Sequence, residues 1–168
     1  RMRAGAASQI AETLDNFVDS NLIAIRTEAQ LPPLINYLNL PADQRAGSVA
    51  EAEANATLRA LSRKDQNFIE TYALLDGQGL DVVDSYTPDV GVDKSDREYF
   101  TTPFRTGLPF ISAVEFLETP TTASLYFSSP VFNAAGESIG VLRVRYNAAV
   151  LQQIIARDTG LAGQGSFA

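Results

Sequence analysis

Arg97, Tyr99 and Phe100 stand together in the run Asp96-Arg97-Glu98-Tyr99-Phe100. A guanidinium presents a planar fork of donors that grips a carboxylate through two parallel hydrogen bonds. The neighbouring aromatics add apolar walls and a hydroxyl, the mixture that a small-molecule site needs. A second group of polar side chains comes from two alternating stretches further along. Leu142, Val144 and Tyr146 alternate with Val141, Arg143 and Arg145, and Leu125 and Phe127 alternate with Ser124, Tyr126 and Ser128. Successive strand residues point to opposite faces, so one face of each stretch is apolar and the other more polar. If the apolar face packs on helices, the polar face lines a cavity and offers Tyr126, Ser128 and Arg145 to it. Arg97 and Arg145 facing one cavity would suit an anionic ligand, a carboxylate metabolite above all. The competing expectation is that Arg97 pairs with Asp93 or Asp96 and only fixes its loop.

Other chemistries are narrowed by what is missing. The 168 residues include no histidine and no cysteine. That removes thiol nucleophiles, disulfides, imidazole bases, Ser-His-Asp triads and ordinary zinc sites. Carboxylates are the remaining acid-base groups, and no pair of them is placed as a glycosidase needs. The residues call for no cofactor and no metal. Asp84, Asp89, Asp93 and Asp96 are close together in sequence but lack the spacing and terminal glutamate of an EF-hand, so they read as a solvated acidic loop. Asn55-Ala56-Thr57 fits the glycosylation sequon but falls inside an expected helix. The net charge of -7 makes a poor partner for nucleic acid or an anionic lipid surface.

These side chains need a frame to position them. Hydrophobic residues at 45 % and charged residues at 20 % fit an ordinary packed core. The apolar stretches are too short to span a bilayer, and the N-terminal arginines lead into no signal-peptide core. Residues 8–30 form an amphipathic helix with Ile10, Leu14, Phe17, Val18, Leu22 and Ile25 on one stripe. Pro32 and Pro33 are expected to end it, and a short turn carrying Leu34, Ile35 and Leu38 follows. The stripe reads as core packing before a dimer seam, though a stalk helix can do both, since a stripe wider than the domain needs leaves area for a second copy of the chain. Ser48 and Glu51 have capping-box spacing and open a helix through Ala54, Leu58 and Leu61 to about Gln66.

The texture turns strand-like at Phe68. Thr71 to Leu75 and Leu80 to Tyr86 flank the turn at Asp76-Gly77. A polar loop from Pro88 to Asp96 leads into short helical turns over Arg97 to Arg105, which would roof the cavity. Three strands follow, Phe110 to Leu117, Ala123 to Phe132 and Ser138 to Tyr146, the last two joined at Asn133-Ala134-Ala135-Gly136. Ala148 to Arg157 is a closing helix, and Gly160, Gly163 and Gly165 mark a linker. The expected fold is α+β, with long N-terminal helices packed on a five-stranded antiparallel sheet.

The string Gly91-Val92-Asp93-Lys94-Ser95-Asp96-Arg97-Glu98-Tyr99-Phe100 resembles a signature of the Cache superfamily, "D-x-R-x-Y-F/Y" in the segment that covers its pocket. Gly107 to Phe110 is similar to the stretch that opens the family's third strand. Ser128-Ser129-Pro130-Val131-Phe132, the turn at Gly136 and Ile139-Gly140-Val141-Leu142 resemble its closing hairpin, and Asp76-Gly77-Gln78-Gly79 its first turn. The ordered set runs from Thr71 to Leu151. The resemblance implies a PAS-like sensor module over residues 68–158, stalk and packing helices over 1–67, and in 159–168 a linker or the start of a second, membrane-proximal module. It further implies an extracytoplasmic small-molecule sensor in a bacterial transmembrane receptor of histidine kinase, chemoreceptor or cyclase type. A ligand-free dimerisation ectodomain is the alternative, and an enzyme is not implied. One branch of the family binds free amino acids. It has a tyrosine where Val92 stands and an aspartate about where Arg145 stands. An arginine there would repel an α-ammonium, so the departure implies an anionic metabolite rather than an amino acid.

Overall fold

The computed structural model describes residues 2–116 and 123–165, with side chains over 5–116 and 123–157. Three helices come first: α1 (Met2–Glu28), α2 (Pro32–Asn39) and α3 (Val49–Ser62). Strands β1 (Ile69–Asp76) and β2 (Asp81–Asp84) follow, then α4 (Glu98–Thr106). The chain continues through β3 (Phe110–Ile111), β4 (Glu115–Phe116), β5 (Ala123–Phe132), β6 (Ser138–Asn147) and α5 (Ala149–Gly165). The strands form one antiparallel sheet in the order β2-β1-β6-β5-β3, with β4 also paired to β5. Long helices on one face of an antiparallel sheet make the expected α+β, PAS-like arrangement.

Local chemistry explains the boundaries. Pro32 and Pro33 do not close α1. They occupy the first turn of α2, where a missing N–H leaves no bond unmade. Ser48 caps α3 by accepting from the Glu51 N–H at 3.0 Å. The return bond of the capping box goes from the Gly47 N–H to Glu51, because the Ser48 N–H already donates to the Arg45 carbonyl. The helix stops at Ser62, short of the expected Gln66. The stretch expected as one strand from Phe110 is two, interrupted at Ser112. The Ser112 hydroxyl accepts from the Tyr126 N–H and donates to the Ala113 carbonyl, so a side chain takes one of the two ladder bonds, while the Ser112 N–H still donates to the Tyr126 carbonyl. Leu117, the expected end of that strand, and Ser166 to Ala168 lie outside the described residues. Helix α5 runs on through Gly165.

The core sits between the sheet and α1, α2 and α3. Ile25, Leu34, Leu58, Leu74, Phe127 and Leu142 are each at most 1 % exposed, and burying such a side chain stabilises by about 1.5–3 kcal/mol. Phe17 meets Phe127 and Tyr146 edge-to-face at 6.0 and 5.8 Å, which fixes α1 across β5 and β6. Polar tips in this core are satisfied: Tyr72 donates to Glu28, and Tyr146 to Asn21, both at 2.8 Å. Lys64 closes on the same Glu28 carboxylate. Helix α2 approaches the sheet at Gly140. A Cβ there would lie 2.4 Å from the Leu75 carbonyl oxygen and 2.6 Å from Leu38.

Candidate functional site

The second face of the sheet carries the polar residues, and the strand register arranges them in rows. One row reads Asp84, Ala73, Arg143, Ser128 and Phe110 across β2, β1, β6, β5 and β3. The next reads Thr71, Arg145 and Tyr126. Helix α4 lies over β5 and β6 and lowers Tyr99 and Phe100 onto this face. It starts after Arg97 and stops at Gly107, whose φ of 74° is a left-handed cap that only glycine adopts without cost.

Arg143 is the centre of the arrangement. It is 2 % exposed, and its guanidinium lies 5.5 Å from the ring centres of both Tyr99 and Tyr126. Those two rings are themselves 4.8 Å apart. Nη2 donates to the Thr71 hydroxyl at 2.6 Å, while Nε has no hydrogen-bond partner. Among the described residues no carboxylate lies within ion-pair distance of it. The adjacent Ser128 hydroxyl is also buried without a partner. A desolvated cation with free donor capacity is costly unless something anionic meets it.

Two buried acids stand on β2: Asp84 across Ala73 from Arg143, and Asp81 opposite Leu75. Asp81 is 0 % exposed and Asp84 2 %. Asp84 accepts from the Tyr86 N–H through Oδ1, but among the described residues its other oxygen and both oxygens of Asp81 meet no donor outside the pair. Burial raises the Asp81 pKa well above the usual carboxylate range. A hydrogen shared with Asp84 and repulsion from that carboxylate add to the rise, and Arg143 and Lys94 partly offset it. Asp84 therefore does not belong to a solvated loop as its neighbours in sequence suggest, because it is an inward position of β2. Asp93 fits that reading, exposed and held low by hydrogen bonds with Ser95.

The six residues singled out from sequence divide. Tyr99, Phe100, Tyr126 and Ser128 come together around Arg143. Arg97 stays at the margin, 5.4 Å from the Tyr99 ring centre, and its ion pair at 2.9 Å is with Glu115, not with Asp93 or Asp96. Arg145 shares the face but is held by Glu70 at 2.8 Å, a charge contact rather than an aligned hydrogen bond. The arginine that reaches the centre is Arg143, and its signal was the same alternation that marked Arg145. The expected cavity is also corrected. Tyr99, Phe100, Tyr126 and Arg143 fill the space under α4, all at most 6 % exposed. Among the described residues, open clefts lie elsewhere on the surface, two of them well formed. One, of about 550 Å³, is lined by Val114, Phe116 and Leu151, and the other, of about 300 Å³, by Phe17, Asp65 and Arg157.

No family model and no curated protein matches the chain in sequence. Solved structures do match in fold. The sensor domain of the Vibrio cholerae histidine kinase DctB superposes with a TM-score of 0.70 at 18 % identity, covering 91 % of this chain and 57 % of that one. The ligand-binding domain of the Campylobacter jejuni chemoreceptor Tlp3, in complex with L-valine, gives 0.66 at 18 % identity, covering 90 % of this chain and 61 % of that one. The Escherichia coli DcuS sensor domain gives 0.63 at 17 % identity, covering 86 % of this chain and 98 % of that one. The chain thus spans little more than half of the first two domains and nearly all of the third.

Proposed function

Starting from a fold shared with sensor domains of histidine kinases and chemoreceptors, we propose that this chain is a small-molecule-sensing domain, extracytoplasmic, in a bacterial transmembrane receptor. The observation that carries the reading is Arg143, a buried guanidinium under α4 with two tyrosine rings around it and no carboxylate partner among the described residues. Its free Nε and the Ser128 hydroxyl are the donors an anionic group would take up. The ligand class is a small carboxylate. Residues 68–158 form the sensing module, 1–67 its stalk and packing helices, and 159–168 a linker or the start of a second module. No described helix is long and apolar enough to cross a membrane.

The mechanism follows from how the face is filled. A ligand must part Tyr99 from Tyr126, so α4 has to lift and then settle on the bound molecule. Its ends suit that movement: a polar loop precedes Arg97, and Gly107 follows. Strands β5 and β6 carry the site on one face and meet α1 on the other. A ligand that binds one arrangement of this sheet better than another shifts the population of both. Arg145 no longer weighs against amino acids, because Glu70 neutralises it. Carboxylates and amino acids therefore belong in one screen.

The test is thermal unfolding of the domain against that panel. A ligand at a hundredfold excess over its Kd stabilises the folded state by about 2.7 kcal/mol, which for a chain of this size is roughly 5–10 °C. The expected result is a carboxylate-bearing hit whose shift disappears in Arg143→Met, while that variant melts no lower than the parent without ligand. A hit that survives Arg143→Met would place the site elsewhere. Silence across the panel, with melting that rises with protein concentration, would favour the ligand-free dimerisation ectodomain.

A further inference from the structure

Asp81 and Asp84 lie at the outer edge of the sheet, and Asp89 reaches them from the 3-10 turn Thr87–Asp89 that follows β2. One carboxylate oxygen from each falls within 4.8 Å of the others. Acidic side chains near one another are common at surfaces and alone identify nothing. Here two of the three are buried, and Asp81 has both oxygens turned away from every donor except the neighbouring carboxyl. Buried carboxylate oxygens without donors are costly, and a cation is the partner that satisfies several at once.

We propose that Asp81, Asp84 and Asp89 bind a hard divalent cation, Ca²⁺ in preference to Mg²⁺. The donor set is all oxygen, which selects such ions over softer metals. Ca²⁺ bonds oxygen at about 2.3–2.6 Å and tolerates irregular geometry, so it spans oxygens nearly 5 Å apart, whereas Mg²⁺ needs them drawn in to about 4 Å. Asp89 is only partly buried, which gives the ion a way in. Lys94 currently balances Asp89 at 3.2 Å, and the ion takes over that role. The spacing is unlike an EF-hand because the ligands come from a strand and a 3-10 turn. The frame is already closed: the Asp81 N–H donates to the Val92 carbonyl, and the Gly91 N–H donates to the Asp81 carbonyl. An ion here ties the edge strand to the loop that leads into α4. The site uses no residue assigned to the ligand and stands independently of the sensing role.

The experiment is the melting temperature of the domain in CaCl₂, in MgCl₂ and in EDTA at matched ionic strength, with calorimetric titration of Ca²⁺. The expected result is a rise of several degrees in Ca²⁺, a smaller one in Mg²⁺, and loss of both the rise and the heat of binding in Asp84→Asn and Asp89→Asn. Asp89→Asn alters a partly exposed side chain, so it serves if the buried variant fails to fold. Equal melting in Ca²⁺ and EDTA overturns the site, as does a Ca²⁺ response that persists in Asp89→Asn. Stabilisation by an amino acid that needs Asp84, with none by Ca²⁺, would assign the acids to an organic ammonium and likewise overturn it.

Discussion

At the scale of single residues, Arg143 and Asp84 are buried on either side of Ala73, with Asp81 beside Asp84, and none of the three has a full complement of partners. Asp81 makes a pH prediction. Its folded-state pKa is raised, to about 9, by burial first and the Asp84 carboxyl second. Between the ordinary carboxylate pKa near 4 and that value, the unfolded chain releases a proton that the folded chain keeps, so stability falls as pH rises. Asp81→Asn removes this slope. In EDTA it should exceed the parent at pH 8, with the advantage gone near the ordinary carboxylate pKa. Urea midpoints at the two pH values check this, and parallel pH profiles would refute it. Sequence reading singled out Tyr99, Phe100, Tyr126 and Ser128, which pack around Arg143, because alternation and the run after Arg97 mark them. It chose Arg145 over Arg143 because alternation assigns a face and says nothing about the neighbouring strand. Glu70 on β1 claims Arg145, and only the register of β1 against β6 reveals that.

At the scale of elements, the hairpin of β5 and β6 and the helix stripe of α1 were legible because each repeats one period over many residues. The short elements were not. Ser112 breaks a strand by a side-chain bond that alternation cannot register, and the prolines read as a stop open α2 instead. The helix cap predicts that Ser48→Ala costs about 1 kcal/mol, read as a lower urea midpoint with an unchanged slope. Gly140 predicts a larger effect of another kind. In Gly140→Ala the new methyl meets the Leu75 carbonyl and Leu38, so α2 must back away from the sheet. The expected loss is about 1–3 kcal/mol, again from the midpoint. A neutral Gly140→Ala would mean that α2 does not press on the sheet as described.

At the scale of the whole molecule, a chain with net charge -7 buries a guanidinium beneath a helical cover. The apolar face of the sheet is spent on α1, α2 and α3, and the opposite face is closed by one short helix whose ends can move. This division was legible in outline from the order of elements. The filled state of the covered face was not, because only packing decides whether a polar face encloses space or side chains. The claim at the centre of the account is that ligand is taken up between α4 and Arg143. Amide hydrogen exchange with and without the best carboxylate or amino-acid hit addresses it directly. The account predicts slowed exchange across Glu98–Thr106 and along β5 and β6 around Ser128 and Arg143. Protection confined to the cleft at Val114, Phe116 and Leu151, with α4 unchanged, would contradict it.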